Sequence, residues 1–190
     1  YLRHIKEIGN KSLIETVTTT DPGYAVLNWL MSQWQWDIYG VNLVCGIIFL
    51  VGLITCCRQQ SRPWLGLAVA FPYLVIVLAM GYTRQGVALG LFFLAIASME
   101  QGHFKRYILY VSAAAFFHKT ALLMIALGIF LQYKNWKLRA VAVLLVGYVL
   151  WDLLLAENQE HLWNTYVESQ MISHGARVRV LMNLVPGLIL

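Results

Sequence analysis

Charge is what this sequence has least of: 12% of its 190 residues are Asp, Glu, Lys or Arg, against 59% that are hydrophobic. Soluble globular domains carry about a quarter of their residues as charges, so an ordinary soluble fold is excluded. Cysteine is scarce too. Cys45, Cys56 and Cys57 lack the paired spacing of a zinc site, and two adjacent cysteines at a helix end seldom bridge each other. They read as small apolar filler in a reducing setting. No Walker loop, dinucleotide fingerprint, HExxH, Ser-x-x-Lys or GxSxG appears, which argues against a nucleotide-driven enzyme or a serine nucleophile. No cluster has metal-ligand spacing, so the expected chemistry uses no metal and no cofactor. Repeats and low-complexity segments are also missing.

Long apolar runs take up most of the chain. Crossing the hydrocarbon takes roughly 20 apolar residues per helix, and runs at 38–57, 63–80, 84–99, 107–133 and about 140–155 predict an all-α, polytopic integral membrane protein. Tyr1 begins inside a polar stretch without an initiator Met, and Leu190 ends inside an apolar run, so the expectation is a fragment truncated at both ends. A single transmembrane domain is predicted over residues 1–190. Within it, residues 1–36 form an extracytoplasmic or interfacial segment, 37–155 the membrane helices, 156–179 an extracytoplasmic loop and 180–190 the start of a further membrane helix. In the first segment Asp21-Pro22-Gly23 signals a turn, and Trp29, Trp34, Trp36 and Tyr39 read as an interfacial aromatic belt.

The net charge of +5 does not point to nucleic acid, because membrane proteins collect Lys and Arg for topological reasons. Placing the loops at 58–62, 100–106 and 134–139 in the cytoplasm puts seven of the fourteen basic residues there, as the positive-inside rule requires. Arg3, Lys6 and Lys11 lie in the leading segment. Arg84, Lys119, Arg177 and Arg179 then fall at or near apolar runs on the opposite side, which is the anomaly. One uninterrupted helix over 107–133 would also carry the basic cluster after it to the outside and sink Lys119 near mid-bilayer. A break at His118 avoids both. It leaves two helices of about 11 and 14 residues, each too short to cross, suited either to a re-entrant hairpin or to lining a water-filled, outward-facing cavity, where irregular backbone is tolerated at depth.

The pattern at the anomalous cations repeats. In "GYTRQGVALG" Thr83 is the expected N-cap and Arg84 the first helical residue; in "HKTAL" Thr120 caps, with His118 and Lys119 just outside; Arg177 and Arg179 precede the final apolar run. A helix N-terminus is already partly positive, so an added cation there is unfavourable by roughly 0.3–1 kcal/mol unless an anion is present. Three such placements on one face point to a phosphate-binding site, where arginine binds bidentately and lysine supplies a point charge. The plainer readings stay open: Arg84 and Lys119 snorkelling to the interface, His118 as an interior histidine, Arg177 and Arg179 as loop charges, Asp21 as a turn residue.

Four stretches, "DPGYAVLNWL", "YTRQGVALGLFFLA", "FHKTALLMIAL" and "SHGARVRVLMNLVPGLIL", resemble in order and spacing the EpsG family of polysaccharide polymerases. These are Wzy-like membrane proteins of bacterial exopolysaccharide, capsule and O-antigen assembly. Thr83 departs from the larger apolar residue expected before the arginine. The resemblance implies a multi-pass protein of the bacterial cytoplasmic membrane with its active site facing outward. It implies a glycosyl transfer that moves a glycan from undecaprenyl pyrophosphate onto the next lipid-linked repeat unit. The implied partners are that lipid-linked glycan, the bilayer, and the chain-length regulator and flippase of the same pathway. On this reading Arg84, Arg177 and Arg179 hold pyrophosphate with Lys119 assisting, and His118 activates the acceptor hydroxyl or orients a phosphate, Asp21 being the alternative base. A flippase of the lipid-linked oligosaccharide or an O-antigen ligase-like transferase remain as alternatives.

Overall fold

A computed structural model describes residues 21–132 and 135–151. Every element among the described residues is helical. The helices are α1 (Pro22–Gln33), α2 (Asp37–Gln59), α3 (Pro63–Ala70), α4 (Thr83–Glu100), α5 (Phe104–Phe117), α6 (Leu123–Gln132) and α7 (Trp136–Trp151). α3 runs on as a π-helical segment, Phe71–Ala79, and a 3₁₀ turn, Lys119–Leu122, leads into α6. The wider π turn begins where Pro72 removes a backbone donor and crowds the carbonyl four residues back.

α2, 23 residues long with an 18-residue stretch of mean hydropathy 2.4, is among the described residues the one helix long and apolar enough to cross a membrane by length and composition. The others with apolar runs are shorter. Pro63–Ala79 and Lys119–Leu131 belong to this class, and the predicted interruption at His118 is present: α5 ends at Phe117 and His118 is extended, with φ −156° and ψ 110°. At 1.5 Å per residue the 14 residues of α5 span roughly 21 Å, short of the ~30 Å hydrocarbon core.

α4 is the centre of the bundle, packing most extensively on α2 and α5. It meets α2 where Gly52 and Gly90 face each other backbone to backbone, so that a Cβ on either glycine would overlap the other helix. Small residues permit such an approach, which suits helices that associate by packing in an apolar solvent. Near the start of α4, Val87 packs with Tyr24, Leu27 and Met31 of α1 and with Val41 and Cys45 of α2. Further along, Ala95 packs with Tyr107 and Val111 of α5, with Met124 and Ile125 of α6 against them.

The opening segment differs from its sequence reading. Asp21-Pro22-Gly23 starts a helix: Asp21 takes the N-cap position and Pro22 the first turn, where its missing N–H costs nothing. One face of α1 is buried, including Tyr24, Leu27, Asn28 and Met31. Of the four predicted belt residues, Trp34, Trp36 and Tyr39 are exposed, at 62%, 56% and 79%, and Trp29 is partly buried.

Candidate functional site

One chain reversal and one long-range helix contact bring the site together. α4 and α5 are packed antiparallel through the short link Gln101–His103, so the start of α4 and the end of α5 lie at the same end of the bundle. α1 then packs against α5. Gly23 sits so close to Phe116 that a Cβ would come within 3.0 Å of its carbonyl oxygen, which sets Asp21 beside the chain break. Residues separated by almost a hundred positions thereby surround one cavity of about 270 Å³, lined by Asp21, Tyr82, Thr83, Arg84, Gln85 and His118.

The start of α4 does not follow the expected capping. Tyr82 is the N-cap, with φ −133° and ψ 69°, and Thr83 is already helical. No side chain caps this end. The first intrahelical bond is donated by the Gly86 N–H to the Tyr82 carbonyl at 2.9 Å, leaving the Thr83, Arg84 and Gln85 amides ahead of the ladder, where helices bind anions. The Thr83 hydroxyl is occupied elsewhere, 3.3 Å from the Tyr24 hydroxyl. At the second break His118, and not Thr120, holds the N-cap position, and Thr120 lies within the 3₁₀ turn. In both places the backbone turns one or two residues earlier than threonine capping predicts.

Arg84 has an anion within the protein. Its guanidinium lies 3.7 Å from the Asp21 carboxylate and stacks over the Tyr24 ring at 5.1 Å from the centroid. The premise of an uncompensated cation at this helix start is therefore corrected: α1 supplies the counter-charge. At 3.7 Å the contact is an ion pair longer than a hydrogen bond, and Arg84 is 44% exposed against 14% for Asp21. Pairs this open to solvent contribute about 1 kcal/mol or less.

Of the sequence-predicted residues, Asp21, Arg84 and His118 meet in the cavity. Lys119 is exposed and is not among its walls. Arg177 and Arg179 lie outside the described residues. Sequence reasoning missed Tyr24 and Tyr82. Tyr24 carries a signal only as the aromatic of "DPGY", and Tyr82 lines the cavity from the N-cap position of α4.

The chain matches the EpsG family over residues 1–190. No curated protein and no solved structure matches it.

Proposed function

As the chain belongs to the EpsG family, membrane proteins of the polysaccharide-polymerase type, we propose that it is a multi-pass glycosyltransferase of the bacterial cytoplasmic membrane. It polymerises undecaprenyl-pyrophosphate-linked repeat units into O-antigen, capsule or exopolysaccharide at the outer face. The observation that carries this reading is one cavity holding a guanidinium, an uncapped helix N-terminus and an imidazole. That set fits an anionic leaving group next to a proton acceptor.

In the proposed reaction an acceptor sugar hydroxyl attacks the anomeric carbon of the donor glycan. The new glycosidic bond forms as the bond to the pyrophosphate oxygen breaks, the electron pair leaving on the pyrophosphate. The hydroxyl proton passes to the His118 imidazole. Charge grows on the departing oxygen, so Arg84 and the leading amides of α4 stabilise the transition state more than the bound donor. Asp21, whose carboxylate faces Arg84, holds the guanidinium until the donor arrives. A pair worth about 1 kcal/mol yields to a multiply charged pyrophosphate that arginine grips in bidentate fashion. Lys119 adds a point charge from beside the break, and Arg177 and Arg179 complete the phosphate site from the C-terminal part of the chain.

The test is purified full-length protein supplied with synthetic undecaprenyl-pyrophosphate repeat units and scored for oligomer ladders. Ladders from the wild type, and none from Arg84→Ala inserted at normal levels, are the expected result. Full-length polymer from Arg84→Ala overturns the phosphate role. Glycan movement across the bilayer without oligomers would make the protein a flippase. Product formed only with lipid A core as acceptor would make it a ligase.

A further inference from the structure

Away from Arg84, a cavity of about 300 Å³ lies between α2 and α3. α2 supplies Ile54, Cys57 and Arg58 to it, and α3 supplies Pro63, Trp64 and Leu67. The hairpin itself makes this space. Gln60 leads the chain out of α2 in an extended conformation, with ψ 151°, and Pro63 starts α3 three residues later. Gly66 lets α3 close on Cys57, since an added Cβ would lie 3.3 Å from its Sγ. Cys57 is buried, whereas Ile54, Arg58, Pro63 and Trp64 are exposed.

The charge here is of one sign. No carboxylate lines the cavity, the loop 60–62 contains no acid, and among the described residues no acid pairs with Arg58 or Arg62. Arg58 also ends an apolar stripe. Leu43, Ile47, Leu50 and Ile54 precede it at steps of three or four residues, which places them on one face of α2, and all four are exposed. From Leu43 to Ile54 the stripe covers roughly 16 Å, about half of the ~30 Å hydrocarbon core and so the depth of one leaflet. Trp64, 83% exposed, lines the cavity beside Arg58, the pairing of indole and cation found where helices meet the membrane surface.

Resting on the membrane crossing of α2 and not on the glycosyl transfer, we propose that this cavity binds an anionic phospholipid of the cytoplasmic leaflet. Arg58 holds the phosphate with Arg62 beside it, and one acyl chain lies along the exposed stripe of α2. The basic loop belongs on the cytoplasmic side by the positive-inside rule, where anionic lipids give the membrane a negative surface. A zwitterionic lipid would set its ammonium among unpaired guanidiniums. A second copy of the chain would bring further unpaired arginines to the same face. The bound lipid fills the space between two helices that pack on each other less extensively than α2 packs on α4.

The experiment uses the full chain in phosphatidylcholine nanodiscs with a trace of phosphatidylglycerol carrying a diazirine near the head end of one acyl chain. The same probe built on phosphatidylcholine is the comparison. After irradiation and digestion, peptides spanning 54–67 should carry about fivefold more label from the anionic probe, the factor for one basic residue at an anionic lipid surface. Excess unlabelled phosphatidylglycerol should remove the difference. Arg58→Gln should abolish most of the preference and Arg58→Lys should keep it, while Ile54→Trp, which fills the exposed side of the cavity, should lower labelling by the anionic probe. Equal labelling by the two probes leaves α2 in the bilayer and overturns the site, as does a preference unchanged in Arg58→Gln. No label from either probe on peptides spanning 43–67 overturns both the site and the crossing of α2. Covalent dimers formed on irradiating Trp64→p-benzoylphenylalanine would assign the groove to a second copy and overturn the lipid.

Discussion

The starts of α4 and of the 3₁₀ turn before α6 carry the same local message, a threonine beside a basic residue where a helix begins, and the fold treats them oppositely. At the first, Arg84 is held between the Asp21 carboxylate and the Tyr24 ring. At the second, Lys119 is exposed and outside the cavity, while its neighbour His118 lines it. The difference comes from α1, which docks on the start of α4 and meets the end of α5 at Phe116 and Phe117. A cation at a helix start thus becomes part of a site when a distant element fixes its direction. Geometry here outweighs the charge itself.

The comparison breaks most severely at His118, the residue the second helix start does contribute. His118→Gln keeps a hydrogen-bonding side chain and removes the proton acceptor, so turnover of lipid-linked repeat units should fall about 10²–10⁴-fold with membrane insertion unchanged. Retained turnover would exclude the base role. Next in size is Arg84→Lys, which preserves charge and loses the planar fork and the ring stacking. A fall of about 10–100-fold in turnover is expected, larger than any effect of exchanging Lys119 for arginine.

Much of this was readable in advance because it follows from length and charge alone. The apolar runs mark α2 and α4 to within two residues, and the break at His118 follows from the cost of sinking Lys119 and misplacing the basic cluster after it. Pro63 begins α3 as its fixed φ predicts. What could not be read is what depends on a partner far along the chain. Asp21-Pro22-Gly23 is equally a turn and a helix start, and only the packing of Tyr24, Leu27 and Met31 decides it. Thr83 does not cap because the helix already begins at it, with Tyr82 in the N-cap position, and its hydroxyl meets Tyr24, 59 residues away. The pairing of Arg84 with Asp21 is invisible for the same reason, since no local pattern reports an ion pair between helices. Arg177 and Arg179 belong to the predicted site and lie outside the described residues.

A smaller effect is expected at Tyr24, which positions Arg84. Its ring lies under the guanidinium and its hydroxyl is 3.3 Å from Thr83 Oγ1. Tyr24→Leu removes both contacts and keeps an apolar side chain in the core of α1, α2 and α4. With a cation–π contact worth about 0.5–2 kcal/mol, donor KM should rise roughly 2–30-fold while kcat changes little. Tyr24→Phe, which retains the ring, should recover most of that. Equal losses in the two variants would show that the hydroxyl positions the helix start and the ring does not.

The smallest effect tests the comparison at its weaker end. Lys119 has no place in the cavity wall, so its contribution is that of a solvated charge near the phosphate. Such a charge is worth about 0.2–1 kcal/mol and is screened within about 10 Å at 0.1 M salt. Lys119→Ala should therefore slow polymer formation about 2–5-fold at low ionic strength and much less at high, whereas the loss in Arg84→Lys should persist at both. The two variants assayed across a salt series separate a long-range field from a directed contact. If Lys119→Ala costs as much as Arg84→Lys and resists salt, Lys119 grips the pyrophosphate directly in the donor complex. The two helix starts would then be equal partners, and the fixing of Arg84 by α1 would not be what makes the site.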